Sequence, residues 1–205
     1  MNAVSFFEEY VRQFQPDRIL DGRTLFDVYK NGPLLTEVVN GKIIPEVIKK
    51  LWGETNQNEV WEIQHEYFRI DVVGWQSKSA TVKGEAFKQG LMPHLWNLKI
   101  AVEHENSLSD WTDEVIKLVH VKCPLKVVIG YNHCDMRDGD EESDIEKLKC
   151  VARWMQQVDA FKSNEDEEYL VILGNAAGKK QKKYTEFDYR GYLYDYQREE
   201  FVRLP

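Results

Sequence analysis

Apolar positions change their period along the chain, and each change marks an element. Near the start, Val4, Phe7, Val11 and Phe14 recur at helical spacing, which predicts a helix over residues 3–15. Residues 33–52 predict one or two further helices, interrupted by Gly41 and Pro45. The stretch VWEIQHEYFRIDVVGW, 60–75, is rich in aromatic and β-branched residues and predicts one long bent strand or two strands. LKIAVEHE, 98–105, predicts the next strand. In SLSDWTDEVIKLVHV, Trp111, Val115, Leu118 and Val119 form the apolar stripe of a helix. Ser109 or Asp110 can cap its start, and Asp113 and Glu114 suit its first turn. LKVVIGY, 125–131, and YLVILGNA, 169–176, read as buried strands. Between them, Ile145, Leu148, Ala152, Met155 and Val158 predict a helix over 142–162. The tyrosine-rich tail, 184–205, predicts an edge strand.

Helices alternating with apolar strands predict an α/β sandwich built on a mixed sheet. The early strands have no helix between them and are expected to be antiparallel neighbours. At 205 residues, 42% of them hydrophobic, the chain suits one domain with a substantial core. Thirty-five acids against 27 Lys and Arg give a net charge of −8, which excludes a generally basic nucleic-acid coat protein. Any nucleic-acid contact must then be local. No apolar run is long enough to span a membrane. MNAVSFFEEYVRQFQ lacks the basic start and apolar centre of a signal peptide. Cys123, Cys134 and Cys150 are odd in number and lack CxxC spacing, so a reduced, cytoplasmic setting is expected.

The candidate chemistry lies in two strands. Side chains alternate faces along a strand, so Leu98, Ile100 and Val102 share one face of LKIAVEHEN. Lys99, Ala101, Glu103 and Glu105 share the other. Asp71 interrupts the extended run Tyr67, Phe68, Ile70, Val72, Val73, where a carboxylate is costly to bury without a partner. Three carboxylates on neighbouring strands repel one another, and a divalent cation such as Mg²⁺ would use them as hard oxygen ligands. Each acid also has a plainer reading. Asp71 suits a turn or an ion pair with Arg69, and Glu103 and Glu105 suit a solvated strand end. His104 points to the opposite face and reads as a satisfied histidine rather than a ligand.

The order helix, RIDVVGW, KIAVEHEN, helix, LKVVIGY resembles the core of the PD-(D/E)XK nuclease superfamily, over about residues 34–131. The resemblance implies a restriction-endonuclease-like mixed β-sheet flanked by helices, and Mg²⁺- or Mn²⁺-dependent hydrolysis of DNA. It places Asp71 at the family's first acid and Glu103 at its second. Glu105 falls where the family's lysine usually stands. Some members resemble this chain in having Glu-x-Glu, the second Glu serving as metal ligand or base. Others carry the lysine on the following helix, where Lys117 lies here; its plainer role is an ion pair with Asp113. A glutamate upstream completes some members' sites, and Glu37 and Glu46 are candidates. Dimerisation is common in this fold and would help to cut two strands. The competing expectation is a catalytically silent member serving as a binding or assembly module, favoured by the acidic charge and the missing lysine.

Other motifs fall short. LGNAAGKK, 173–180, has three residues between its glycines where a phosphate loop has four, and Lys180 where Ser or Thr is needed. GKKQKK, 178–183, is the most concentrated basic stretch and can touch a phosphate backbone or remain a solvated loop. NHCDMRDGDEESD, 132–144, lacks calcium-loop spacing. His65 has no Cys/His partner at zinc spacing. Trp75 and Trp96 flank the acids and could form a wall of the site.

Overall fold

The computed structural model describes residues 1–29, 31–53, 61–76, 80–90, 97–106, 110–132, 140–162, 166–175 and 188–205. Ser109, Trp96, Cys134, the loop 133–139 and the basic run 178–183 lie outside them.

The chain begins with helix α1 (Ala3–Gln13), capped reciprocally by Asn2 and Ser5. A small hairpin, β1 (Ile19–Leu20) and β2 (Arg23–Thr24), leads into the short helix α2 (Leu25–Tyr29). Helix α3 (Gly32–Val38), a π-helical turn (Val39–Ile43) and helix α4 (Ile44–Gly53) then follow without a break. Gly41 and Pro45 therefore do not interrupt the helix as the sequence suggests. Gly41 lies in the wider turn, and Pro45 comes just after it, at the start of α4, where a missing N–H is tolerated.

The extended run resolves into two strands, β3 (Trp61–Tyr67) and β4 (Ile70–Gln76), joined by the two-residue turn Phe68–Arg69. Both turn residues are left-handed, φ +49° and +61°, and so is Glu66 at +52°. Two positive φ values at the centre of a hairpin define the turn that matches strand twist, a turn that favours Asn and Gly. Each left-handed side-chain-bearing residue costs roughly 1–2 kcal/mol. Helix α5 (Ala80–Lys88) stands between β4 and β5 (Leu98–His104), where the sequence pattern suggests no helix, yet the two strands still pair antiparallel; α6 (Trp111–Val119) leads to β6 (Leu125–Asn132). The expected helix over 142–162 divides into α7 (Asp140–Met155) and α8 (Asp159–Lys162). After β7 (Glu168–Asn175), the tail supplies two strands rather than one, β8 (Tyr189–Asp195) and β9 (Glu200–Arg203).

Strands β3 to β9 form one sheet in chain order. The β5–β6 and β6–β7 pairs are parallel and every other pair is antiparallel. A parallel pair needs a crossover, and α6 and α7–α8 supply the two required here. The fold is therefore α/β, a mixed sheet flanked by helices. One face packs Val72, Ile100, Val102, Val127, Ile129 and Ile172 against the side chains of α1 to α4. The other packs Val73, Ala101, Val128, Val171 and Leu173 against α6, α7 and α8. Strand β5 is covered on both sides, which explains its nearly unbroken burial. No helix among the described residues is long and apolar enough to cross a membrane.

Glycine at position 130 sets how closely α6 approaches. A Cβ there would lie 2.6 Å from the Cβ of Trp111, the first residue of α6 and fully buried. Replacing Gly130 with Ala forces the helix off the sheet. Overpacking of this kind costs about 1–3 kcal/mol. Gly130→Ala is expected to lower the midpoint of urea unfolding by a corresponding amount, and an unchanged midpoint would contradict the close docking of α6.

Candidate functional site

The paired residues Val72–Val102 and Val73–Ala101 fix the register of β4 against β5. One further step of the same ladder sets Asp71 opposite Glu103. Residues directly opposite share a face, and Val73 and Ala101 belong to the α6 side. Asp71 and Glu103 are thus brought to one end of the β4–β5 seam, beneath α6. The β3–β4 pairing skips Glu66 opposite Asp71, where the backbone of Glu66 turns left-handed. The backbone N–H of His104 donates to Asp71 Oδ2 at 2.8 Å, so the carboxylate is held by the neighbouring strand.

Helix α6 brings the cation. Trp111, Val115, Leu118 and Val119 face the sheet, which leaves Lys117 on the flank of the helix nearest β4 and β5. Its ammonium lies 2.8 Å from Glu103 Oε1, and it also pairs with Glu114 one turn back. It donates a hydrogen bond to the backbone carbonyl of Arg69 at 3.0 Å. The pair with Asp113 expected from helical spacing is replaced by these three contacts. Glu103 Oε1 and Glu114 Oε2 are buried, and both lie within ion-pair reach of the ammonium.

Glu103 is 2% exposed. Burial raises its pKa, outweighing Lys117, and the charges of Glu114 and Asp71 push the same way, to about 8. Asp71 is raised as well, by burial, with the His104 N–H and the Asn40 amide opposing the rise. Burial pulls Lys117 downward, but Glu103 and Glu114 outweigh it and hold its pKa above the usual lysine value. Glu105 is not among the leading charges acting on Glu103. It follows the end of β5, where its N–H donates to the Ile129 carbonyl at 2.9 Å. Among the described residues, no three His, Cys, Asp or Glu side chains are grouped to hold a metal ion. The structure therefore brings together Asp71, Glu103 and Lys117.

Neither upstream glutamate completes the site. Glu46 pairs with Arg18 on the surface, and Glu37 is exposed. The residue from this helix that does reach Asp71 is Asn40, on the π-helical turn. Asn40 is 9% exposed, its amide hydrogen-bonds Asp71, and its Oδ1 is buried without a partner among the described residues. Helical periodicity alone cannot find it, because the wider turn shifts the face that residue 40 presents. The only sequence signal was Gly41 beside it. Asn106 docks the exit of β5 onto α3, through the Gly32 carbonyl at 3.0 Å and the Thr36 hydroxyl.

His104 points to the opposite face, as its strand parity requires, and its Nε2 meets the Tyr131 hydroxyl at 2.8 Å. Burial holds its pKa down to about 3, so the ring is neutral near pH 7. Trp75 is buried in the core on the α6 side rather than lining an open wall.

The chain matches no protein-family model, and no curated protein is similar to it.

Two opposed pH dependences follow. Folding holds Glu103 protonated up to about pH 8, whereas the unfolded carboxyl ionises near 4.5. Its stabilising contribution is complete below pH 4.5 and is lost as pH rises through 8. His104 is the reverse: its contribution is complete above pH 6.5 and is lost as pH falls toward 3. In thermal melts from pH 5 to 9, Glu103→Gln is expected to gain on the wild type as pH rises, by on the order of a few kcal/mol at most. A constant difference would contradict a buried, protonated Glu103.

Proposed function

We propose that this chain is a divalent-cation-dependent nuclease of restriction-endonuclease-like fold that hydrolyses phosphodiester bonds in DNA. The observation that carries the reading is the meeting of Asp71 and Glu103 across the β4–β5 seam, with the Lys117 ammonium 2.8 Å from Glu103. The resemblance to the PD-(D/E)XK core supports it further, since α4, the antiparallel strands β3, β4 and β5, α6 and the parallel strand β6 follow that order, with α5 added between β4 and β5.

The donor set fits a hard cation. Asp71 and Glu103 both offer carboxylate oxygens, of which Glu103 Oε1 lies 2.8 Å from the Lys117 ammonium. Mg²⁺ and Mn²⁺ accept one or two protein carboxylates and complete their shells with water and phosphate. Glu105, just beyond the strand end, is kept as the candidate base for the attacking water. When bound, the cation would supply charge for the phosphoryl oxygens and acidify water.

The protein's own groups prepare the rest. The His104 N–H fixes Asp71 Oδ2, and the Asn40 amide also bonds this carboxylate. Glu103 must lose its proton to serve as a ligand, so cation affinity rises with pH toward 8. Lys117, released from Glu103, can turn to the anionic phosphate, the task that the family gives to its motif lysine. Glu114 keeps Lys117 charged and near.

A second reading is favoured by one observation. Three oxygens, from Arg69, Glu103 and Glu114, already surround the Lys117 ammonium. A lysine so placed can stand in for a metal, as in a silent nuclease-fold protein that binds or assembles without cutting.

Calorimetric titration of Mn²⁺ separates the two. For the nuclease, Asp71→Ala and Glu103→Ala should each abolish binding, and Lys117→Met should bind normally but cleave labelled DNA about 10²-fold more slowly. For the silent protein, the wild type should bind no Mn²⁺ and Lys117→Met should gain it. Equal binding in the wild type and both alanine variants would remove the metal site.

A further inference from the structure

Phe68 is the most exposed large apolar side chain among the described residues, at 78%. It belongs to neither apolar core. It stands at the tip of the β3–β4 hairpin, in a turn whose conformation favours Asn and Gly. Three of the five left-handed non-glycine residues among the described ones, Glu66, Phe68 and Arg69, lie in this tip. A ring kept in water on an unfavourable backbone serves neither packing nor turn formation. Such strain persists where the surroundings over-determine it, as they do at ligand clamps.

The surroundings do so here. Tyr67, packed against the α6-side core, braces Phe68 edge-on, with ring centroids 4.6 Å apart. Ile70 is buried on the other side of the turn. Lys117 ties the Arg69 carbonyl to α6. The tip is therefore anchored to the same lysine that contacts Glu103, and Asp71 lies three residues beyond Phe68. The exposed charges of the tip, Glu66 and Arg69, are opposite in sign, so they give no net attraction for a phosphate backbone.

We propose that Phe68 is a stacking platform for one unpaired base of a DNA strand, set so that the adjoining phosphate reaches Asp71, Glu103 and Lys117. This rests on the nuclease reading for its site, and it names the substrate as single-stranded or locally opened DNA. A π-face is what every base offers once unstacked, and stacking on an aromatic side chain requires no sequence. A closed duplex hides those faces and must be opened at some cost before the ring can be used.

The test uses the full chain in EDTA, where metal-dependent cutting is suppressed. Fluorescence anisotropy measures binding of a single-stranded 20-nucleotide DNA carrying one 2-aminopurine, and of its duplex. The wild type should prefer the single strand. Phe68→Ala should weaken binding about tenfold, about 1.4 kcal/mol, and Phe68→Trp should retain it. The double variant Phe68→Asn/Arg69→Gly should melt higher by a few degrees while losing the same affinity, which separates function from folding. The salt dependence of binding should be unchanged by Phe68→Ala.

Wild-type failure to bind the single strand, or equal affinity in Phe68→Ala, overturns the proposal. So does a salt slope that falls with the ring, which would indicate charge rather than stacking. So does a dimer that Phe68→Ala dissociates without altering DNA affinity, which would assign the ring to a second copy of the chain. Cleavage with Mn²⁺ is scored separately. Binding that needs Phe68 without cleavage would sink the nuclease reading alone, and cleavage indifferent to Phe68 would sink this inference alone.

Discussion

A strand covered by helices on both faces offers no solvent side on which to place a charge. In β5 one face goes to the core under α1 to α4 and the other to the core under α6 to α8. Glu103, on the α6 side and one residue from the strand's end, is buried by that geometry alone. Much of the site follows from it. The opposing Asp71, the lysine drawn from α6 and the upward pull on the Glu103 proton are responses to one carboxylate denied water. Close docking of α6 on Gly130 sustains the arrangement, because a helix held further away would neither cover Glu103 nor deliver Lys117.

The same buried seam admits two chemical outcomes. An ammonium among three oxygens already supplies positive charge there, and on the proposed reading a small hard cation would compete with that ammonium and with a proton for Glu103. Whichever holds Glu103 also influences the tip of the β3–β4 hairpin, since Lys117 grips the Arg69 carbonyl.

The strands were legible where their pattern was strong. The runs at 98, 125 and 169 were found to within a residue or so because both faces are apolar, and no helix of that length reads the same way. The meeting of Asp71 with Glu103 is implied by the resemblance to the nuclease core, whereas strand parity alone assigns only the faces within 98–105. Other features were hidden for specific reasons. The π-helical turn has no signature in side-chain period, so Asn40 was missed. The split of α7 from α8 falls at Gln156–Val158, where the apolar spacing continues although the backbone does not. The tail reads as one strand because its turn, Tyr196–Glu199, contains neither Gly nor Pro, and Glu199 itself carries the left-handed conformation. Lys117 was expected to look along its own helix to Asp113. Side-chain spacing on a helix cannot show that an acid from another strand is closer.

One buried ion pair carries a consequence for the order of folding. Lys126, in the middle of the sheet and 1% exposed, pairs with Glu167 and donates to the Tyr169 hydroxyl at 2.6 Å. Its partners enter the chain about forty residues later, at the start of β7. Until that strand arrives, β6 cannot be sealed without stranding an ammonium in an apolar interior. The return of the later chain to lie beside β6 therefore lowers the cost of burying Lys126, and so supports the sheet on which the Asp71–Glu103 seam is built.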